Sequence, residues 1–231
     1  MLGLGNLLTK SGVIKKFPNN YSFNFDGSND YLSCENTAPL QITGDMTVTA
    51  WIKTNTKSSQ QRFITKWGGS SLGWYIQVTS SSGFLKFNVD SSGNHAIGDT
   101  DLSDNNWHHI ACVYDAGTSI KVYVDGNLQG TEADTSSTAP ASLANVDQSL
   151  VIGSEGDGDS RFTGLIDEVA VWDSALDATA IAKIGSKVVD LTKYSASNLK
   201  LWLRAGDKVL PEEDTSIARS DFYTAFDGGS E

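Results

Sequence analysis

The chain has 231 residues, a length that suits one large all-β domain or two small domains. Its formal net charge of −11 leaves no basic stripe to displace phosphate counterions, which excludes nucleic acid as a partner and disfavours anionic membranes. No run of about 18 apolar residues is present, so we predict no insertion into a membrane.

Residues 1–20 mix small apolar residues with glycine and carry Lys15-Lys16-Phe17-Pro18 near their end. They lack the charged start, the long apolar core and the cleavage site of a signal peptide. We predict an N-terminal arm over residues 1–20 that docks on a neighbouring molecule, and a loosely packed terminus is the alternative.

The chain contains two cysteines, Cys34 and Cys112, which are too few for a disulfide framework. Cys112 lies in the run 107–115, which is apolar on both faces and where a thiol usually packs as a small hydrophobic group. We therefore expect free thiols and assembly in a reducing cytoplasm.

Apolar and polar residues alternate over much of the chain between residues 46 and 126, which predicts antiparallel strands. The run 107–115 is predicted to be a central strand, because both of its faces are apolar. Asp125-Gly126 predicts a hairpin turn, because both positions tolerate positive φ. The predicted inward-facing sets are Met46, Val48, Ala50 and Ile52; Trp74, Ile76 and Val78; Leu85, Phe87 and Val89; and Ile120, Val122 and Val124.

One short helix is predicted near residues 174–185. Ser174 is its predicted N-cap, and Asp177 at the third helical position completes a start that resembles a capping box. An apolar stripe follows, and Gly185 ends the helix. The stripe consists of Leu176, Ile181 and Ile184.

Residues 186–231 are predicted to be a C-terminal extension with an added strand and a tail. The strand is Leu199–Arg204, with Leu199, Leu201 and Leu203 expected on one face. The tail sequence F-Y-T-A-F-D-G-G at 222–229 echoes Y-S-F-N-F-D-G-S at 21–28. Chance similarity is one interpretation, and a strand that pairs with the chain's own sheet or with a neighbouring subunit is the other.

Four motifs follow one another along the chain: F-D-G-S-N-D-Y at 25–31, W-H-H-I-A-C-V-Y-D at 107–115, I-K-V-Y-V-D-G at 120–126 and T-G-L-I-D-E-V-A-V-W at 163–172. Their sequence and order resemble the laminin-G-like, concanavalin A-like lectin-glucanase family. The resemblance implies an all-β fold, an antiparallel β-sandwich or jelly roll over residues 21–185, with the short helix after its last strand. This fold carries lectins, enzymes, adhesion modules and viral coat proteins alike, so the fold alone does not give the function.

Hydrolases of this family carry a strand of the form E-x-D-x-x-E, whose alternation sets two acids on one face, about 5–5.5 Å apart in a retaining enzyme. Asp167 and Glu168 are adjacent instead, so we expect their side chains on opposite faces of the strand. The adjacent His108 and His109 are interpreted as hydrogen-bonded framework residues. We therefore predict that the protein is not an enzyme.

The only predicted cofactor is calcium, which takes oxygen ligands. Family members often bind it where the first and last strands meet. For Asp26, Asn29 and Asp30, which lie at the first strand, the alternative is turn chemistry, in which Asp and Asn side chains bond to their own backbone. A second acidic cluster at 155–159 either wraps an ion or forms a solvated loop. The resemblance carries the calcium site onto Asp26, Asn29, Asp30, Asp167 and Glu168.

Sugar binding would need exposed aromatic rings. Trp67, Tyr75 and Tyr123 are the candidate platforms, because the two tyrosines occupy outward-facing strand positions. The alternative for each ring is core packing.

The opening of the chain, up to about residue 31, also resembles structural proteins of marine tailed phages that carry this sandwich. We therefore predict a non-enzymatic virion protein of a tailed bacteriophage, a surface-exposed capsid decoration or tail-fibre component that adheres to host-surface glycan. It would reside in the virion after assembly in the host cytoplasm. Its predicted partners are other capsid or tail proteins and its own copies in a homo-oligomer, with a trimer favoured. The alternative is a carbohydrate-binding lectin module of a secreted or cell-surface protein.

Overall fold

The computed structural model describes residues 21–68, 72–90, 93–130, 139–155, 160–186, 190–205 and 223–224. The arm predicted for residues 1–20 lies outside this part of the chain, as do residues 156–159 of the second acidic cluster. No helix among the described residues is both long enough and apolar enough to cross a bilayer.

Strands dominate the described residues. In chain order they are β1 (Phe23–Asp26), β2 (Leu32–Cys34), β3 (Met46–Lys53), β4 (Gln61–Gly68), β5 (Leu72–Val78), β6 (Phe84–Asn88), β7 (His95–Asp101), β8 (His108–Asp115), β9 (Ser119–Val124), β10 (Asn127–Leu128), β11 (Leu150–Ile152), β12 (Thr163–Trp172), β13 (Leu199–Leu203) and β14 (Tyr223–Thr224). One α-helix, α1 (Ala178–Gly185), follows β12.

The strands form two seven-stranded sheets. The first has the order β1-β12-β3-β8-β9-β10, and β13 also pairs with β12. The second has the order β14-β2-β11-β4-β5-β6-β7. All of these pairings are antiparallel, which confirms the predicted sandwich, and β8 lies between β3 and β9 as predicted for a central strand.

The core lies between the two sheets. Every residue of the predicted inward-facing sets is buried in it, so the alternation of apolar and polar residues was a sound guide to these strands. Burying one Val, Leu, Ile, Phe or Met side chain contributes about 1.5–3 kcal/mol, and this interface is therefore the main source of stability. Both cysteines are free and buried there, and burial raises the pKa of the Cys34 thiol to about 12.

A β-bulge interrupts β12 at Glu168. Two residues of β12 face one residue of β3 between the pairs Asp167–Trp51 and Ala170–Thr49. Glu168 takes a φ of 52°, and both Ile166 and Val169 remain in the core although they are three residues apart.

The C-terminal extension is part of the sandwich. Strand β13 pairs with β12 and adds Leu201 and Leu203 to the main core. The prediction that Leu199 shares their face is wrong, because a bulge at Lys200 turns Leu199 into an outer cluster with Trp172. In the tail, Tyr223–Thr224 pairs antiparallel with β2, so the chain's own sheet takes up this short strand.

Helix α1 begins later than predicted. Asp177 is its N-cap and accepts a hydrogen bond of 2.8 Å from the backbone N–H of Ala180, whereas Ser174 lies three residues before it. The buried residues Ile181 and Ile184 pack the helix on the outer face of the first sheet.

The predicted hairpin turn is confirmed, with φ of 50° at Asp125 and 79° at Gly126. A side chain at Gly126 would lie 2.9 Å from the Cα of Ala182 in α1, so glycine also permits the close approach of the helix.

Lys66 places a buried ammonium group at one end of the sandwich. Its Nζ donates hydrogen bonds to the Asn36 side chain at 2.7 Å, to the Val146 carbonyl at 2.9 Å and to the Gln148 carbonyl at 2.8 Å. Burial lowers the pKa of Lys66, and the charge of Asp147 opposes that change. The ammonium thus ties together the segments that lead out of β2 and into β11.

We expect Lys66→Met to lower the free energy of unfolding by about 3 kcal/mol, because it leaves buried oxygen acceptors without a donor. Denaturant unfolding would measure the loss, with Lys183→Met on the exposed surface of α1 as the control. Equal stability of the two variants would contradict the role assigned to Lys66.

Candidate functional site

The outer faces of the two sheets differ in what covers them. On the first sheet, helix α1 and the segment after it bury apolar residues such as Val113, Trp172 and Trp202. On the second sheet, the outward positions of β4, β5 and β6 carry aromatic, amide and cationic side chains. We call this set the polar face, and it consists of Arg62, Thr65, Trp67, Tyr75, Gln77, Lys86 and Asn88.

A bulge in β4 brings Arg62 onto the polar face. Phe63 is the extra residue between the pairs Arg62–Gln77 and Ile64–Ile76, and both Phe63 and Ile64 lie in the core. Because the bulge shifts the alternation by one residue, Arg62 points to the same side as Thr65.

Two rings and a guanidinium group form the centre of the polar face. The ring centroids of Trp67 and Tyr75 lie 5.0 Å apart with an interplanar angle of 77°, an edge-to-face arrangement. The guanidinium of Arg62 lies 4.1 Å from the Tyr75 centroid and 6.0 Å from that of Trp67. Burial raises the pKa of the Tyr75 phenol, and the charge of Arg62 opposes that rise.

Arg62 is held by an ion pair with Glu155, in which Nη1 donates to Oε1. The side chains retain 17% and 10% of their exposure, so water screens the pair only partly. Arg62 therefore engages the carboxylate of Glu155. An ion bound by the acidic cluster 155–159 would have to compete with Arg62 for this carboxylate.

Amide and hydroxyl groups surround the rings. Gln77 and Asn88 are buried, and the Asn88 amide donates a 2.7 Å hydrogen bond to the Asp90 carbonyl. The Thr65 hydroxyl donates to the Ser154 carbonyl at 3.2 Å. In register, Tyr75 pairs with Asn88 and Gln77 pairs with Lys86, so these two residues of β5 each have a polar neighbour on β6.

The structure brings together two of the three predicted aromatic platforms. Trp67 is half-buried and Tyr75 is buried with 9% exposure, side by side on the polar face, so Trp67 is the more accessible of the two rings. Tyr123 lies on the other sheet with 5% exposure, packed with Ile181 of α1, so its ring is not accessible to a sugar.

The predicted calcium ligands are not assembled into one site. Register pairs Asp26 with Thr163, four residues from Asp167 along β12, which is a separation of about 13 Å. Asp26 Oδ1 accepts a 2.6 Å hydrogen bond from the Ser28 backbone, and Asp30 Oδ2 accepts one of 3.0 Å from the Asp26 backbone. This is the turn chemistry of the alternative, and calcium binding by Asp26, Asn29 and Asp30 alone stays a prediction.

Asp167 and Glu168 serve a different purpose. Asp167 Oδ1 accepts a 3.0 Å hydrogen bond from the Ala205 backbone, while Glu168 accepts bonds of 2.6 Å from Trp202 Nε1 and 2.8 Å from Arg204 Nε. The expectation that these two side chains lie on opposite faces of the strand is wrong. The bulge lets both carboxylates bond to residues 202–205, at the end of β13 and just after it. Burial raises the pKa of Glu168, and the bonds from Arg204 and Trp202 oppose that rise.

The histidines belong to the framework. The ring nitrogens of His108 lie 2.8 Å from Asp125 Oδ2 and 3.1 Å from Asp104 Oδ1, which confirms the hydrogen-bonded role predicted for it. His109 is buried edge-to-face against Trp51 at 5.4 Å, and within the described residues its Nδ1 has no hydrogen-bond partner, so the same prediction is wrong for that atom. The described ranges contain no group of three or more His, Cys, Asp or Glu that could hold a metal.

A family model described as the concanavalin A-like lectin/glucanases superfamily matches residues 26–182, more than half of the chain. No curated protein matches the chain.

Solved structures share the fold at low sequence identity. A candidate carbohydrate-binding protein from Bacteroides ovatus aligns with a TM-score of 0.60 and 21% identity over 79% of this chain and 50% of its own. Domain 4 of AbnA, a GH43 extracellular arabinanase from Geobacillus stearothermophilus, in complex with arabinotriose, aligns with a TM-score of 0.52 and 18% identity over 71% of this chain and 76% of that one. The heptameric SAP-like pentraxin of Limulus polyphemus gives 0.51 and 16%, covering 80% and 96%.

The contacts of Glu168 predict a structural role that does not depend on calcium. We expect Glu168→Gln to lower the free energy of unfolding by about 3 kcal/mol, because Arg204 stays buried without its carboxylate. The loss should be the same in EDTA and in calcium, with the exposed Glu35→Gln as the control. A loss that appears only in calcium would return Glu168 to the predicted calcium site.

Proposed function

Because the chain belongs to the concanavalin A-like lectin/glucanase superfamily, we propose that it is a non-catalytic carbohydrate-binding module that holds a sugar against its polar face. The observation that carries this proposal is the cluster of Trp67, Tyr75 and Arg62. An aromatic ring offers an apolar surface to the C–H groups of a sugar, and the polar groups beside it take the hydroxyls.

The side chains around the rings suit polyhydroxylated ligands. Lys86 is half-buried rather than buried, and its ammonium can donate hydrogen bonds to the oxygen of a hydroxyl group. The rigid strands of the second sheet hold these groups at fixed spacing, and such preorganisation reduces the entropic cost of binding.

The similar structures support the same proposal. The Bacteroides protein is a candidate carbohydrate-binding protein, and domain 4 of the arabinanase was solved with arabinotriose. The chain spans half the length of the Bacteroides protein, so the comparison concerns the shared domain.

The carboxylates argue for binding without hydrolysis. Glycoside hydrolysis by the usual route needs two carboxyl groups on either side of the scissile bond. Glu155 lies beside the polar face, and its Oε1 is engaged by Arg62. A fixed ion pair of this kind positions Arg62 for recognition.

We expect Trp67→Ala to weaken sugar binding roughly tenfold, because it removes a ring from the centre of the site. Binding would be measured on an array of immobilised neutral and acidic oligosaccharides that includes arabinotriose, and then by calorimetry. The control is Trp107→Ala, since Trp107 is 39% exposed and precedes β8 of the first sheet. Binding that Trp67→Ala leaves intact, or that Trp107→Ala removes, would place the site elsewhere.

We also propose the virion role as the setting in which this module works. A capsid decoration or tail-fibre component of a tailed phage would present the polar face to host glycan, as a homo-oligomer among other virion proteins. Support comes from the buried free thiols of Cys34 and Cys112, whose pKa values burial raises, because thiols of this kind suit assembly in a reducing host cytoplasm. The resemblance of the first residues to phage structural proteins points the same way.

The oligomer is tested on the full chain by size exclusion with light scattering. We expect the mass of a trimer, and a chain that lacks residues 1–20 should elute as a folded monomer. A monomeric full chain, or a trimer that survives the deletion, would contradict the proposed arm-mediated assembly.

A further inference from the structure

The two charged residues of the polar face, Arg62 and Lys86, are both cationic, although the chain as a whole has a net charge of −11. Arg62, Gln77 and Lys86 stand in register across β4, β5 and β6, so one amide lies between two cationic residues. Adjacent strands are about 4.8 Å apart, which sets the backbones of Arg62 and Lys86 about 10 Å apart. Side chains of their length can both reach a group held above Gln77.

The two cations are not equally neutralised. Arg62 has Glu155 as its ion-pair partner. Lys86 is half-buried and takes part in none of the ion pairs found among the described residues. Within the described part of the chain, one positive charge of the polar face therefore has no ion-pair partner, in a protein whose net charge is −11.

The surroundings of Lys86 favour an anion. Burial lowers the pKa of Lys86, and the charge of Arg62 lowers it further. An anionic group beside the ammonium would offset both effects, because it stabilises the charged form.

We propose that the polar face binds an anionic sugar, with its carboxylate or sulfate group held by the half-buried Lys86. This inference rests on the proposed carbohydrate-binding function and names the substrate class of the same site. Gln77 and Tyr75 are two residues apart on one face of β5, about 7 Å along the strand. A single sugar unit can therefore place its acidic group at Lys86 and its ring against Tyr75 and Trp67.

The charge decides the preference for acidic over neutral sugars. A hydrogen bond to an ionised group is roughly twice as strong as one between neutral groups. The contacts to the rings are shared by both sugar types, so the difference in affinity should come from Lys86.

Two matched pairs of ligands test this preference by calorimetry. Trigalacturonate is compared with its methyl ester, and a sulfated carrageenan tetrasaccharide with an unsulfated agarose tetrasaccharide. These arms separate a carboxylate from a sulfate as the recognised group. We expect at least one acidic ligand to bind about tenfold more tightly than its neutral partner, with a preference that shrinks as salt is added.

Three variants assign the preference to Lys86. Lys86→Gln should reduce the affinity for the acidic ligand to that of its neutral partner, while Lys86→Arg should keep the preference. Lys121→Gln, a half-buried lysine of β9 in the first sheet, is the control and should change nothing. The retained charge in Lys86→Arg guards against loss of binding through misfolding.

The failure of this inference differs from failure of the proposed function. If the wild-type chain binds neutral and acidic partners equally, or if the preference survives Lys86→Gln, the anionic specificity is overturned and the carbohydrate-binding function stands. If the chain binds none of these ligands and no sugar on the array, both are overturned.

Discussion

The space between the two sheets has to exclude water. Because successive residues of a strand face opposite sides of its sheet, this constraint requires an apolar side chain at every second position. Most strands meet it by simple alternation, as β3 does with its four fully buried apolar residues Met46, Val48, Ala50 and Ile52. Where the alternation of apolar residues breaks, a bulge restores it. Phe63, Glu168 and Lys200 are such points, and after each one the inward positions are again occupied by apolar side chains.

The same bulges decide what the outer faces present. The bulge in β4 sets Arg62 beside Trp67, and the bulge in β12 sends Glu168 to Trp202 and Arg204 of the C-terminal segment. That segment and α1 bury the outer face of the first sheet in apolar contacts. The outer faces of the sandwich consequently differ, with polar and aromatic side chains on the second sheet and apolar packing on the first.

The sequence predicted the strands that alternate regularly and the turn at 125–126, because period and turn chemistry are local properties. It could not reveal the bulges, since one inserted residue leaves no mark on composition. The predicted face of Leu199 is therefore wrong, and the sequence carries no signal for Arg62, because the adjacent Phe63 and Ile64 interrupt the alternation. For Tyr123 the outward direction is right, but alternation does not show that α1 packs on the ring.

The net charge of the molecule and the charges at the polar face have different effects on binding. A net charge of −11 acts over the whole surface and opposes indiscriminate association with anionic polymers. Screening limits that effect to about 8–10 Å, so the field at the polar face is set by the few charges within that distance. There Glu155 neutralises Arg62, whereas Lys86 has no ion-pair partner among the described residues. The negative surface repels anions in general, whereas the partly buried cation attracts an anionic group that reaches it. Only a ligand that also fits the rings reaches this cation, so the arrangement favours such a ligand over other anions.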